Sequence, residues 1–240
     1  MRKFGYIVPI ILIAAGILAG CGSGQAVQGA SSETSSAVQT SSAAVAQTSA
    51  QAAVSDSEAA NEAQGVIIDA SMNQVTIQTT KGTTDTFMLD DNSNTSGLAN
   101  GMLLGHGIDV TYAVENKVMT LVSVKDADTS ITDYDALAAA GDVILTVESK
   151  NLDSLKEMCT YPVYVGIGKG KEIKSADDFS AAYQASDIFT DSLVTSVSSA
   201  DLMSIEITEK GLVISGNGAA PNITMNKSDK GMWQITGINY

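Results

Sequence analysis

The sequence predicts a small, all-β, barrel-like domain over residues 65–127 followed by an α+β domain over 130–240, with helices on a curved antiparallel sheet. Three observations predict it. Between Gly65 and Ala127, apolar and polar residues alternate in short runs separated by turn residues, the period of strands. From Ser130 the apolar spacing lengthens to three and four residues, the period of helices with one buried stripe. After Ile205 short alternating runs return, and helices that precede a meander of strands can pack against it as a second layer.

The N-terminus carries the most specific signal. Arg2 and Lys3 form a basic start, and Ile7 to Leu18 follow as an apolar run of about twelve residues, long enough for a secretory signal and too short to span a bilayer. The following Leu18-Ala19-Gly20-Cys21 resembles the lipobox of bacterial lipoproteins. That resemblance implies a signal peptide over 1–20, cleavage between Gly20 and Cys21, and acylation of the Cys21 thiol. Small side chains at Ala19 and Gly20 suit an extended backbone entering a peptidase. Each buried CH₂ contributes about 0.8 kcal/mol and one chain alone holds a protein only marginally, so dual acylation implies stable anchoring in membrane lipid at the extracytoplasmic face.

Composition agrees with export. The chain has a formal charge of −14, and removal of residues 1–20 takes away Arg2 and Lys3 but no acid. Such a surface repels nucleic acid and excludes it as a partner class. Of the two cysteines, Cys21 is claimed by the lipobox, so Cys159, between Leu155, Met158 and Tyr161, is expected as a buried thiol without a disulfide. Residues 21–64 are mostly Ser, Ala, Gln, Thr, Gly and Val, without aromatic residues, Lys, Arg or Pro. They cannot bury enough apolar surface to offset their ordering entropy, and a disordered tether is expected. Its r.m.s. span as a flexible coil would be roughly 35 Å.

Within 65–127, Val66 to Ile68, Val75 to Thr79 and Thr84 to Leu89 read as three strands joined by turns at Ser71 to Asn73 and at Lys81-Gly82. A loop is expected from Asp90 to Gly105, then strands at Ile108 to Tyr112 and Val118 to Val124 about a Glu115-Asn116 turn. Five strands suggest a small barrel, with an oligosaccharide-binding-type closure as one form. The stretch from Gly65 to Ile77 resembles an accessory β-module of anaerobic Gram-positive lipoproteins, which implies no assigned activity. Asp90-Asp91-Asn92-Ser93-Asn94 is oxygen-rich, but Thr95 and Gly101 stand where a calcium loop needs Gly and Glu, so a capped turn is expected. His106 has no neighbouring nitrogen or sulfur ligands in sequence, and no metal site and no cofactor are predicted.

Beyond Ser130, Thr132 is placed to cap a helix with Leu137, Ala140, Ile144 and Val147 on its apolar stripe. Leu152, Leu155, Met158 and Cys159 read as a second helix stopped by Pro162, and Val163 to Ile167 as a strand. Ser175 and Thr190 are placed to cap two further helices. Strands are then expected at Ile205 and Ile207, Leu212 to Ser215, Ile223 to Asn226 and Met232 to Asn239. Gly166, Gly168 and Gly170 before Lys171 lack the spacing and the Ser/Thr of a phosphate loop, and read as a plain connection.

Tyr161-Pro162-Val163, the helix start from Ile173 to Phe179, and the closing Trp233-Gln234-Ile235-Thr236-Gly237-Ile238 resemble the NTF2-like, or cystatin-like cone, superfamily over about the last 110 residues. The resemblance implies a curved sheet around helices that leaves a pocket. In this chain Tyr164, Tyr183, Glu206 and Trp233 are the residues it would place there. That domain contains no histidine and its acids fall mainly at predicted caps and turns, so no catalytic residue is assigned. The expected function is a non-enzymatic binding or interaction module, contacting a cell-wall polymer, a small apolar ligand or a protein partner. The alternative is an extracytoplasmic enzyme of isomerase or hydrolase type using the cone pocket. Dimerisation through the sheet is a further expectation carried by the resemblance.

Overall fold

The computed structural model describes residues 60–209 and 211–240. The signal segment, Gly20, Cys21 and the tether up to residue 59 lie outside the described residues.

Six strands build the first sheet: β1 (Asn61–Ala70), β2 (Gln74–Thr79), β3 (Thr84–Met88), β4 (Asn94–Gly97), β5 (Gly107–Glu115) and β6 (Val118–Asp126). Their order is β3-β2-β1-β5-β6-β4, and a parallel pairing of Met88 with Thr120 joins β3 to β6 and closes a five-stranded barrel. The side chains of Ile67, Val75, Ile77, Phe87, Ile108, Val110, Leu121 and Val124 fill it. The β5–β6 turn places Asn116 and Lys117 at φ 50° and 67°, the backbone that matches a tight hairpin to the strand twist. Two expectations are corrected here. The stretch expected as a loop from Asp90 to Gly105 contains β4, which continues the seam beside β6 through Asn94–Ser123 and Gly97–Lys125. Alternation could not reveal it, because all four residues of β4 are exposed and none is apolar. β1 begins at Asn61, so the barrel takes in the last four residues of the stretch expected as tether. The Asp90 segment is a capped turn as expected, with the Asp90 carboxylate accepting from the Asn92 amide at 2.9 Å.

The second half contains α1 (Tyr134–Glu148), α2 (Leu152–Glu157), β7 (Cys159–Val165), β8 (Lys171–Ile173), α3 (Ala176–Ala182), α4 (Ala185–Ile188), α5 (Asp191–Ser198), β9 (Leu212–Ile214), β10 (Asn222–Lys227) and β11 (Trp233–Asn239). Helix starts follow the sequence signals. The side chains of Asn151, Ser175 and Thr190 accept from the third amide of their helices, and Asp133, one residue beyond the expected Thr132, does so for α1. The stripe Leu137, Ala140, Ile144 and Val147 is buried, as its spacing predicts.

The sheet order is β8-β7-β11-β10-β9. It is mixed rather than antiparallel, because β7 pairs in parallel with β11. Cys159 opens β7 rather than ending a helix, and Pro162 sits inside that strand. The chain tolerates it because the β7–β11 ladder is broken there: Cys159 pairs with Ile235 and Tyr164 with Gly237, so the residues between them leave register and a proline withholds no ladder donor. Ile205 and Ile207 lie in irregular chain before a single Thr208–Gly211 bridge, not in a strand, since both are only half-buried against the core.

The two halves are not beads on a string. Val66-Ile67-Ile68 is buried on both faces of β1: Ile67 points into the barrel, whereas Val66 and Ile68 join the core beneath α1. Gly141 on α1 permits this, because a Cβ there would lie 2.5 Å from Ile68 Cγ2. A polar clamp lies alongside. The fully buried Gln78 of β2 donates through Nε2 to the carbonyl of Ser198, at 2.7 Å, which ends α5 without a helical partner, and to that of Ala200 just beyond, at 2.9 Å. Thr84 holds the other end of the amide by donating to Gln78 Oε1 at 3.0 Å. The β2–β3 turn also abuts Ser199, leaving no room for a side chain at Gly82. Burial of Val66 and Ile68 contributes about 3–6 kcal/mol in all, and the Gln78 bonds a net 1–3 kcal/mol or so, so apolar contact holds the seam and Gln78 fixes its register.

Gln78→Ala is expected to leave the Ser198 and Ala200 carbonyls without this donor and lower stability by about 1–3 kcal/mol in denaturant titration, and Gly141→Val to cost at least as much by overpacking. Where Gly141 meets Ile68, their neighbours Asp142 and Asp69 share one field; burial first, and Asp69 second, hold the Asp142 carboxyl above its ordinary 3.8. The folded state then binds that proton more readily than the unfolded chain, so this group favours folding at low pH and opposes it once ionised. Asp142→Asn is therefore expected to raise the unfolding midpoint at pH 7, with the gain disappearing as pH falls to about 4.

Candidate functional site

The interior of the α+β domain is filled. Leu137 and Ile144 of α1, Phe179 of α3, Ile188 of α4 and Leu193 of α5 meet Val163, Ile223 and Ile235 of the sheet, and every one of these side chains is fully buried. The four residues proposed for a pocket are distributed around this core. Tyr164 stands on β7 with 44% of its surface exposed, its ring over the β7–β8 turn, where its hydroxyl occupies the space that a side chain at Gly170 would need. Tyr183 follows α3, half-buried, edge-on to Phe179 and beneath the Lys171 ammonium at 5.1 Å. Glu206 is exposed and lines an open cleft with Asp201, Ser204, Thr208 and the Ser215–Gly218 turn. Trp233 is half-buried at the start of β11, with Lys227 5.8 Å over its ring and Lys227 in turn 3.4 Å from Asp133. Glu206 alone of the four belongs to that cleft.

Three phenols and one thiol are perturbed by their surroundings. Burial, and behind it Tyr183 and Asp187, pushes the Tyr240 hydroxyl well up, and that hydroxyl donates to the Ile188 carbonyl. Burial and then Asp187 raise Tyr183. Burial and then Cys159 push Tyr161 up to about 12, with its hydroxyl donating to the Lys156 carbonyl at 3.1 Å. Burial pushes the Cys159 thiol up to about 12, and its Sγ donates to the Leu155 carbonyl at 3.2 Å. All four shifts favour the neutral form, and in that form Tyr240, Tyr161 and Cys159 donate to backbone carbonyls. Cys159 is the buried, unpaired thiol that its neighbours in sequence predict.

His106 is the one histidine of the chain. It is half-buried and stacks on Tyr134, with ring centroids 3.9 Å apart and planes 14° from parallel, at the seam between barrel and α1. Among the described residues, no three His, Cys, Asp or Glu side chains gather as a metal-ligand set. No described helix is long and apolar enough to cross a membrane.

Part of the chain is similar to CusF. The silver(I)-bound form is 14% identical and spans 28% of this chain and 97% of that one, with a TM-score of 0.26. The apo form from Escherichia coli is 16% identical over 31% and 98%, also with a TM-score of 0.26. No family model matches the chain, and no curated protein does.

At pH 8 the native thiol of Cys159 is expected to react with a disulfide reagent at least a hundredfold more slowly than in the unfolded chain, because burial suppresses the thiolate and blocks access. Prompt stoichiometric reaction under native conditions, measured on protein with Cys21 replaced by Ser, would show the thiol to be accessible.

Proposed function

We propose that this chain is a lipid-anchored, extracytoplasmic binding module that meets its partner on its outer surfaces. What supports this is the packed interior of the α+β domain: helices and sheet close on Leu137, Ile144, Phe179, Leu193 and Ile235, while Tyr164, Tyr183, Glu206 and Trp233 lie around that core rather than in one chamber. Helices on one face of a sheet that pairs β7 with β11 and bulges at Thr224/Met225 are compatible with an NTF2-like cone whose interior has been filled by side chains. Bulges bend sheets, and a bent sheet can wrap helices without leaving a cavity. The barrel, fused to this domain along β1, would then serve as a second face of one rigid platform.

Anchoring rests on Cys21. Cells grown with labelled palmitate are expected to label the wild-type chain and not Cys21→Ser, and the variant is expected to leave the membrane fraction. Membrane retention by the variant would contradict the anchor. Binding without turnover is tested by thermal unfolding of the full chain against wall fragments, fatty acids and steroids, with each compound recovered and weighed by mass spectrometry. A ligand at 100 times its Kd adds about 2.7 kcal/mol and shifts the midpoint by several degrees. The expected result is such a shift with the compound unchanged; conversion of the compound, abolished by Glu206→Gln, would contradict a non-enzymatic role.

A further inference from the structure

An open groove of about 750 Å³ on the barrel crosses β1, β5, β6 and β4. Strand register arranges its side chains in two rows. One runs Gln64, Asp109, Lys125, Gly97 and the other Glu62, Thr111, Ser123, Asn94, each member opposite the next on the neighbouring strand. The first row is tied together: Gln64 Nε2 donates to Asp109 Oδ1 at 2.7 Å, and Lys125 Nζ lies 3.4 Å from the other carboxylate oxygen. Asn94 is fixed in the second row, its amide oxygen accepting from the Ser96 amide and hydroxyl at 3.0 and 2.8 Å. Gly97 floors the far end, where a Cβ would lie 2.6 Å from the Val124 carbonyl oxygen. Lys81 closes one side.

From this groove we infer a binding site for an uncharged oligosaccharide, an inference that deepens the binding reading above and rests on it. Charge is the first reason. The chain carries 27 acids against 13 Lys and Arg, yet the groove holds two of each sign, Glu62 and Asp109 against Lys81 and Lys125. A polyanion would need a net positive lining, and a cation a net negative one. The second reason is the absence of an apolar anchor: the only large aliphatic residues at the lining, Val110 and Val124, are buried in the barrel at 2% and 3% exposure, so the groove offers a peptide side chain no pocket. What it does offer is amide, hydroxyl, carboxylate and ammonium groups side by side across four strands. At the usual strand spacing that is about 14 Å of alternating donors and acceptors, enough for a short chain of hydroxylated rings rather than one.

The test is calorimetric titration of the full chain with fully N-acetylated chitohexaose, which is uncharged, and with an oligogalacturonate of equal length whose every ring carries a carboxylate. Chitohexaose is expected to bind, Asn94→Ala and Lys125→Met to weaken it by about tenfold each, and Val213→Ala on the remote edge strand β9 to leave it unchanged. The oligogalacturonate is expected to bind at least tenfold more weakly. No binding of chitohexaose, equal binding of the charged chain, or binding indifferent to both groove variants would overturn the inference, and circular dichroism of each variant separates a lost site from a lost fold. None of these results bears on palmitate labelling at Cys21, whereas cleavage of the recovered chitohexaose would overturn the non-enzymatic reading instead.

Discussion

The contact on which the rest of the structure depends is the packing of β1 against α1. One strand serves two cores, with Ile67 turned into the barrel and Val66 and Ile68 turned under the helices. A strand buried on both faces must be apolar at consecutive positions, and the Val-Ile-Ile run meets that demand. Its partner helix must come close, and Gly141 lets it do so. Once that approach is fixed, the β2–β3 turn falls against the end of α5, and Gln78 fills the hydrogen-bonding needs that α5 leaves open. Burying an amide is costly unless it is satisfied, and here both nitrogen bonds and the oxygen bond are made.

Much of this was legible in the residues. Alternation located β2, β3, β5 and β6; the caps at Ser175 and Thr190 and the α1 stripe located helices; the Gly-Met-Trp stretch located the last strand. What failed to show had physical reasons. β4 has no apolar residue to alternate, because its role is to continue the barrel seam rather than to fill the core. The parallel pairing of β7 with β11 joins residues some seventy positions apart and leaves no local trace. The Val66-Ile67-Ile68 run carried the seam in plain view, but a short apolar run is compatible with several kinds of burial. Gln78 looked like one more polar residue on a strand, and only the distant carbonyls of Ser198 and Ala200 give it a purpose.

The candidate site was less legible than the fold. Tyr164, Tyr183, Glu206 and Trp233 were chosen from a resemblance, and they lie around a core that aliphatic side chains occupy. The groove on the barrel was invisible in sequence, since its two rows exist only once register places Gln64 beside Asp109 and Asn94 beside Ser123. A surface that reads by hydrogen bonds alone binds weakly per contact, and the proposed lipid anchor would let many copies gain from avidity what each groove lacks.

Fusion of barrel and α+β domain into one cooperative body is the central claim, and hydrogen exchange of the full chain in low denaturant tests it most directly. Amides of β2 and β5 in the barrel and of β10 and β11 in the second sheet are predicted to exchange through openings of the same free energy and the same dependence on denaturant. Barrel amides that open at distinctly lower free energy, with the second sheet still protected, would show two independent domains and contradict the account.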